Sequence, residues 1–289
     1  MCRTGKGRKP RIGITTGNAP FSPSYLAVWC AVWLAGGRPV RLRLRPAGRT
    51  PVRRLLRLLR TRRRHALPGP LFSRGSTELS GIIISGGPHV HPQLYHAPAA
   101  GTVSGVRRKN FISRARVLIR RRAALRDVAE AGLAVQCRER GVPLLGICRG
   151  AQVMAVAADG SLHPSVRSAF RGARYPHHPL GYMTFRKQIT IEQGSALHRI
   201  LGTTDLAVNS LHRQAVATLP DDLPVTARES NGVVQAFEDP SHPFFIGVQF
   251  HPELLVHRVV YRRLFRALTA AAQKSSGMSL PKSQTIARS

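Results

Sequence analysis

Apolar residues along the chain fall into short runs divided by polar and glycine-rich stretches, and the spacing within the runs changes from one to the next. Residues 1–10 read as a flexible basic arm and Arg11–Thr16 as a first strand. The apolar stretch YLAVWCAVWLAGG from Tyr25 predicts a helix over Ser24–Ala35, stopped by Gly36-Gly37. PVRLRL from Pro39 alternates apolar and basic residues, the period of a strand with one solvated face. In PVRRLLRLLRTRRRH, Leu55, Leu56, Leu58 and Leu59 recur at helical spacing with arginines between them. Such a helix suits an anionic surface, or leucines laid on a sheet with arginines in water. Packing of the apolar face is the usual source of helix stability and favours the second. Residues 61–78 read as a loop.

In GIIISGGP, Ile82, Ile83 and Ile84 form an unbroken β-branched run, the mark of a strand covered on both faces. A basic loop over 97–110 precedes a long helix that runs to about Arg140 and stops at Gly141. It feeds the strand VPLLGI, a turn at Cys148 and a helix over Ala151–Ala157. A loop rich in His, Pro and Gly occupies 159–181. Strand candidates follow in FRKQITI, DLAVNS, PVTARES, GVVQAFE and FFIGVQF, then a helix from Glu253 to about Ala272 and a disordered tail over 273–289. Strands alternating with helices in the first half predict one domain over 11–272 with a doubly wound α/β fold, a mostly parallel sheet flanked by helices.

Composition narrows the class. A 289-residue chain with 43% hydrophobic residues can bury a substantial core and is no disordered tail. Its four cysteines, Cys2, Cys30, Cys137 and Cys148, show neither paired nor metal-like spacing, which points to a reducing compartment. Cys30 and Cys137 read as small packing residues. No secretory h-region follows the basic start, and the run from Tyr25 is shorter than the ~20 residues of a membrane span, so a cytoplasmic protein without a membrane partner is expected. The charge is unusual: 45 Lys+Arg against 13 Asp+Glu. That excess attracts polyanions. With only 6% aromatic residues and no recognition element, non-specific contact with nucleic acid through the basic surface is the expectation.

The chemistry concentrates in PLLGICRGAQ. Gly146-x-Cys148-x-Gly150 between an apolar strand and a helix has the form of a nucleophile elbow, in which small residues permit the sharp turn that lifts the side chain into a cleft. The helix N-terminus beneath the sulfur favours a thiolate, and the Arg149 N–H can help hold an oxyanion. A thiolate needs a base, and the base an orienting acceptor. FFIGVQFHPELL supplies His251 at the end of an apolar strand and Glu253 two residues on. Gly86-Gly87, after the isoleucine strand, offers a second backbone N–H with no Cβ in the way. Three distant segments thus converge on acyl transfer. His89-x-His91 and His177-His178 lack companion ligands at a recognisable spacing, so no metal is expected.

With these residues in view, the chain resembles the class I glutamine amidotransferase-like hydrolases of the gamma-glutamyl-gamma-aminobutyrate hydrolase group, peptidase family C26. The resemblance runs through Tyr25 with AGGRPV (35–40), GIIISGGPHVHPQLY (81–95), RDVAE (126–130), GICRGAQ (146–152), GSALHRILG (194–202), VNSLHRQAV (208–216), NGVVQAFE (231–238) and IGVQFHPE (246–253). It implies a flavodoxin-like core and a catalytic triad of Cys148, His251 and Glu253, with oxyanion donors at Gly87 and Arg149. Gly86, Gln152, Ser210 and His212 would lie by the glutamyl group, and no cofactor is implied. The implied reaction attacks the gamma-amide of a small gamma-glutamyl compound, passes through a thioester and releases glutamate and an amine, as in polyamine and putrescine catabolism. Departures are His89 and His91 for two acidic residues, Arg213 for a common His, and Ala155, Asp159, His163 and Pro164 after the elbow. They fall on the leaving-group side of the site, so the amine stays open. A glutaminase subunit feeding a separate synthetase, and a weakly catalytic relative that holds RNA or an acidic partner, are the other readings. A homo-oligomer is compatible with all three.

Overall fold

Three consecutive isoleucines need two apolar surfaces, and the architecture provides both. The computed structural model describes residues 8–16, 23–42, 79–87, 89–95, 114–173, 175–176 and 184–275, with the backbone alone at 93 and 114–124. The arginine-leucine helix expected near 51–65, the loop 61–78, the loop 97–110, His177-His178, residues 1–7 of the arm and most of the tail lie outside these. The order is β1 (Arg11–Thr15), α1 (Pro23–Leu34), β2 (Arg38–Leu42), β3 (Gly81–Ile84), α2 (Arg114–Glu139), β4 (Leu144–Ile147), α3 (Arg149–Ala157), β5 (Ser161–His163), α4 (Val166–Ala169), β6 (Lys187–Ile191), α5 (Ala196–Leu201), β7 (Asp205–Val208), β8 (Ala215–Thr218), β9 (Val225–Glu229), β10 (Val234–Glu238), β11 (Phe245–Val248) and α6 (Val259–Lys274).

Nine strands form one sheet in the order β2-β1-β3-β4-β11-β10-β9-β6-β7. The first five pair in parallel, the doubly wound order of a flavodoxin-like core. The remaining four extend that core through antiparallel ladders. Side chains alternate across the sheet. Ile82 and Ile84 pack with Val128, Ala131 and Met154 of α2 and α3 on one face, and Ile83 packs with Val28 of α1 and Leu264 of α6 on the other. Ile82, Ile83 and Ile84 are fully buried, each stabilising the fold by roughly 2–3 kcal/mol against exposure.

The structure revises several local expectations. The stretch 159–181 holds β5 and the short α4, whose N-cap Ser165 accepts from the Ser168 N–H. β5 pairs with β8, a strand not anticipated. The segment GSALHRILG folds as α5, with Ser195 as N-cap and Gly202 in the left-handed conformation closing it. The last helix is broken: a 3-10 turn covers Pro252–Leu255 and α6 begins only at Val259. Cys30 is exposed rather than packed, because α1 buries Val28, Ala31 and Val32 and turns Trp29, Cys30 and Trp33 outward. Cys137 is buried, and burial holds its thiol well above the usual range. No helix among the described residues is long and apolar enough to cross a membrane.

Candidate active site

The elbow forms because β4 ends against a helix with no room between them. Cys148 takes φ 53° and ψ −106°, a backbone region that L-residues rarely occupy, and α3 begins at the next residue. Two neighbours make the turn possible. A Cβ on Gly146 would lie 2.8 Å from the Ala151 nitrogen and 2.9 Å from the Gly150 carbonyl carbon; one on Gly150 would overlap the Ile84 carbonyl oxygen. The Cys148 N–H donates to the Val248 carbonyl at 2.8 Å, tying the elbow to the end of β11. That strand is the parallel neighbour of β4, with Val248 level with Ile147.

Three residues beyond β11, His251 therefore arrives beside Cys148. Its Nδ1 pairs with Glu253 Oε1 at 2.8 Å. Asn209 braces the same residue from behind, accepting from the His251 N–H at 3.0 Å and donating to its carbonyl at 3.1 Å. Gln249 Nε2 approaches Cys148 Sγ at 3.6 Å. Burial pushes the His251 pKa down, but the negative charges at Cys148 and Glu253, with their hydrogen bonds, more than reverse this and hold it well above the ordinary imidazole value. The thiol, the imidazole and the carboxylate thus meet at the carboxyl ends of adjacent strands, where open α/β sheets gather their sites.

The Gly-Gly loop follows β3 and closes over the same point. A Cβ on Gly86 would sit 3.0 Å from His251 Cε1 and 3.8 Å from Cys148 Cβ. Gly87 lines a cavity of about 620 Å3 together with Cys148, Arg149, Gln152, His212 and His251. His89, Arg213 and Gln214 complete one side of it, and Pro23 and Ser24 at the start of α1 another. Pro164 and Arg167 line a second cavity of about 490 Å3 that shares His89, His212 and Arg213 with the first.

Not every expected residue faces this cavity. Ser210 is fully buried and is not part of the cavity wall; its Oγ accepts from Gln235 Nε2 at 2.8 Å. Gln152 does line it, yet its amide nitrogen donates to the Gln214 carbonyl at 2.8 Å and to Gln249 Oε1 at 3.0 Å. His212 is a neutral wall: Nδ1 lies 2.6 Å from the Gln214 carbonyl and must donate to it, leaving Nε2 to accept from Gln235 at 3.4 Å. Burial, with charge on His251 in the same sense and the Gln214 bond opposing, pushes its pKa down to about 4. His89 is also held below the usual value, by burial and by Arg213. His91 stands back from the cavity, its N–H donating to Asp127 Oδ2 at 2.8 Å. Asp159 closes α3 beside a separate cavity of about 360 Å3. Among the described residues no three His, Cys, Asp or Glu side chains gather where a metal ion would bind.

Sequence reasoning passed over Asn209, Gln235 and Gln249. Asn209 and Gln249 stand inside VNSLH and GVQFHPE, but nothing in a linear motif tells which amide braces a backbone and which faces a sulfur. The Arg149 guanidinium is held by Asp127 and Glu130 of α2.

The pattern described as peptidase C26 matches residues 72–253. A Schizosaccharomyces pombe protein provisionally named a glutamine amidotransferase is 32% identical over 187 residues, 62% of this chain and 64% of that one. An Escherichia coli protein named gamma-glutamyl-gamma-aminobutyrate hydrolase is 33% identical over 133 residues, 44% and 52% of the two chains. The chain thus spans about half to two thirds of the length of these curated relatives. Among solved structures, the glutaminase domain of Trypanosoma brucei CTPS with bound acivicin superposes with a TM-score of 0.55 at 16% identity, covering 92% of this chain and 94% of that one. At that identity the likeness is one of fold.

Proposed function

The chain belongs to the peptidase C26 family, class I glutamine amidotransferase-like proteins, and on that premise we propose that it is a cysteine amidohydrolase that cleaves small gamma-glutamyl amides. The observation that carries the reading is the meeting of a strained elbow cysteine with an imidazole whose proton is retained by two negative neighbours. A thiolate with a proton donor beside it is the charge state from which acyl transfer starts.

In this mechanism Cys148 Sγ adds to the gamma-carbonyl carbon, and the carbonyl π electrons move to oxygen. The N–H groups of Gly87 and Arg149 receive the oxyanion, a contribution of about 3–4 kcal/mol per well-placed donor. The intermediate collapses, the C–N bond breaks, and His251 gives its proton to the leaving amine. Neutral His251 then takes a proton from water, whose oxygen attacks the thioester carbon; the C–S bond breaks, glutamate leaves, and Cys148 and His251 regain their starting charges. Glu253 keeps the imidazole in the tautomer and orientation both steps need. The cavity wall around Arg213 and His89, the departures noted above, would meet the leaving amine.

The test is intact-mass spectrometry after incubation with 6-diazo-5-oxonorleucine, an electrophile shaped like the glutamyl group. One adduct is expected on the wild type and none on Cys148→Ala. No adduct on either protein would remove the glutamyl reading. The glutamine amidotransferase names of some relatives favour a second reading, in which ammonia from free glutamine passes to a separate synthetase. Glutamine turnover that is slow alone and accelerated by a co-purifying synthetase would select it.

A further inference from the structure

Beneath the elbow lies an ionic cluster that no step of this mechanism uses. Asp127 and Glu130, one turn apart on α2, are fully buried, and both hold the guanidinium of Arg149, itself 2% exposed. Glu130 also accepts from Arg126 Nε at 2.9 Å. Two cations and two anions balance where water scarcely reaches. Buried pairs of this kind add little to stability compared with apolar packing, so their position calls for another explanation.

The cluster reaches both ends of the Gly-Gly loop. At the far end, Asp127 Oδ2 accepts from the His91 N–H at 2.8 Å. At the near end, Glu130 is hydrogen-bonded to Thr15, whose Oγ1 also accepts from the Ser85 N–H at 3.3 Å. Between them, a Cβ on Gly87 would rest 3.5 Å from Arg149 Cδ and 3.0 Å from Arg126 Nη1. Arg149 therefore presents its own N–H at the elbow while its side chain runs beneath Gly87, and its guanidinium is fixed by the carboxylates that grip the loop.

We propose that Asp127 and Glu130, acting through the Arg149 side chain, are positioning residues that set the two oxyanion donors, the N–H groups of Gly87 and Arg149, at a fixed separation. This rests on the acyl-transfer reading above, though on no particular substrate. A donor displaced by about 1 Å from the developing charge forfeits much of its effect, which gives a rigid strut its value. The strut acts only in steps that build negative charge on oxygen.

Two reagents separate that role from general support of the elbow. p-Nitrophenyl acetate acylates a thiolate through a tetrahedral oxyanion, forming the C–S bond and expelling p-nitrophenolate. Iodoacetamide alkylates the same sulfur at a saturated carbon, expelling iodide, and makes no oxyanion. Both are followed on the full chain by mass at the Cys148-containing peptide, which keeps the exposed Cys30 out of the readout. Asp127→Asn is expected to slow acylation ~10–100-fold while alkylation stays within about twofold of wild type. Equal loss in both reactions, or no loss in either, overturns the strut. Should Asp127→Asn fail to fold, the paired Asp127→Leu/Arg149→Met variant removes both charges together, leaves Arg126–Glu130 in place and carries the same expectation. A wild type that is alkylated but never acylated would sink the acyl-transfer reading, and the strut with it; a loss confined to the variant's acylation leaves both standing.

Discussion

Two histidines that line the same cavity, His212 and His251, are driven at the residue scale to opposite protonation states by what they touch. His251 faces the negative charges of Cys148 and Glu253 and keeps its proton; His212 faces a carbonyl and an amide in a buried site and gives its proton up. The second state has a measurable consequence. In the unfolded chain His212 titrates near ~6.5, and in the fold at about 4. Between those values the unfolded chain binds more protons, so folding stability rises with pH through this window and is level above it. The gap amounts to about 3 kcal/mol. Urea melts of His212→Gln between pH 4 and 6.5 should show a flatter pH dependence than the wild type; an unchanged slope would mean the imidazole is not buried in its neutral form. Cys148, His251 and Glu253 were legible in the sequence because each sits in a local pattern with its own chemical logic. Ser210 was misjudged because it lies in an irregular segment, where no 2.0 or 3.6 period says which way a side chain turns.

Elements impose their own demand at the junction of β3, β4 and α3. The helix can start one residue after Cys148 only because Gly150 lets its backbone pass against the Ile84 carbonyl. Gly150→Ala must therefore push α3 away from β3, a strain on the order of 3 kcal/mol in a site that cannot yield. The expected result is a lowered melting temperature together with loss of the 6-diazo-5-oxonorleucine adduct; an alanine variant that labels normally would show the elbow to be more pliant than its contacts imply. The parallel half of the sheet was legible because helices separate its strands in the sequence. α5, β5 and β8 were not: each is six residues or shorter, and pairings such as β5 with β8 depend on partners more than fifty residues away.

For the molecule as a whole, 45 basic residues set against 13 acidic ones mean that like charges repel across most of the surface. Raising monovalent salt from ~0.05 to ~0.5 M shortens the screening length from ~14 to ~4 Å, so the melting temperature should climb with salt and retained RNA should fall away. A melting temperature that drops instead would mean surface ion pairs outweigh the repulsion. Charge was plain in the sequence, whereas the strand order β11-β10-β9-β6-β7 was not, because it is settled only when distant segments meet. The meeting of β4 with β11 has a further consequence, in the time taken to make the protein. Gln249 contacts Cys148 across 101 residues of sequence, and His251 follows it. A growing polypeptide that has already exposed its cysteine carries no proton donor beside it until the last strand of the sheet has been translated and docked. On the acyl-transfer proposal, the nucleophile would gain its proton donor only late in synthesis, and a chain truncated before β11 is expected to turn over no amide.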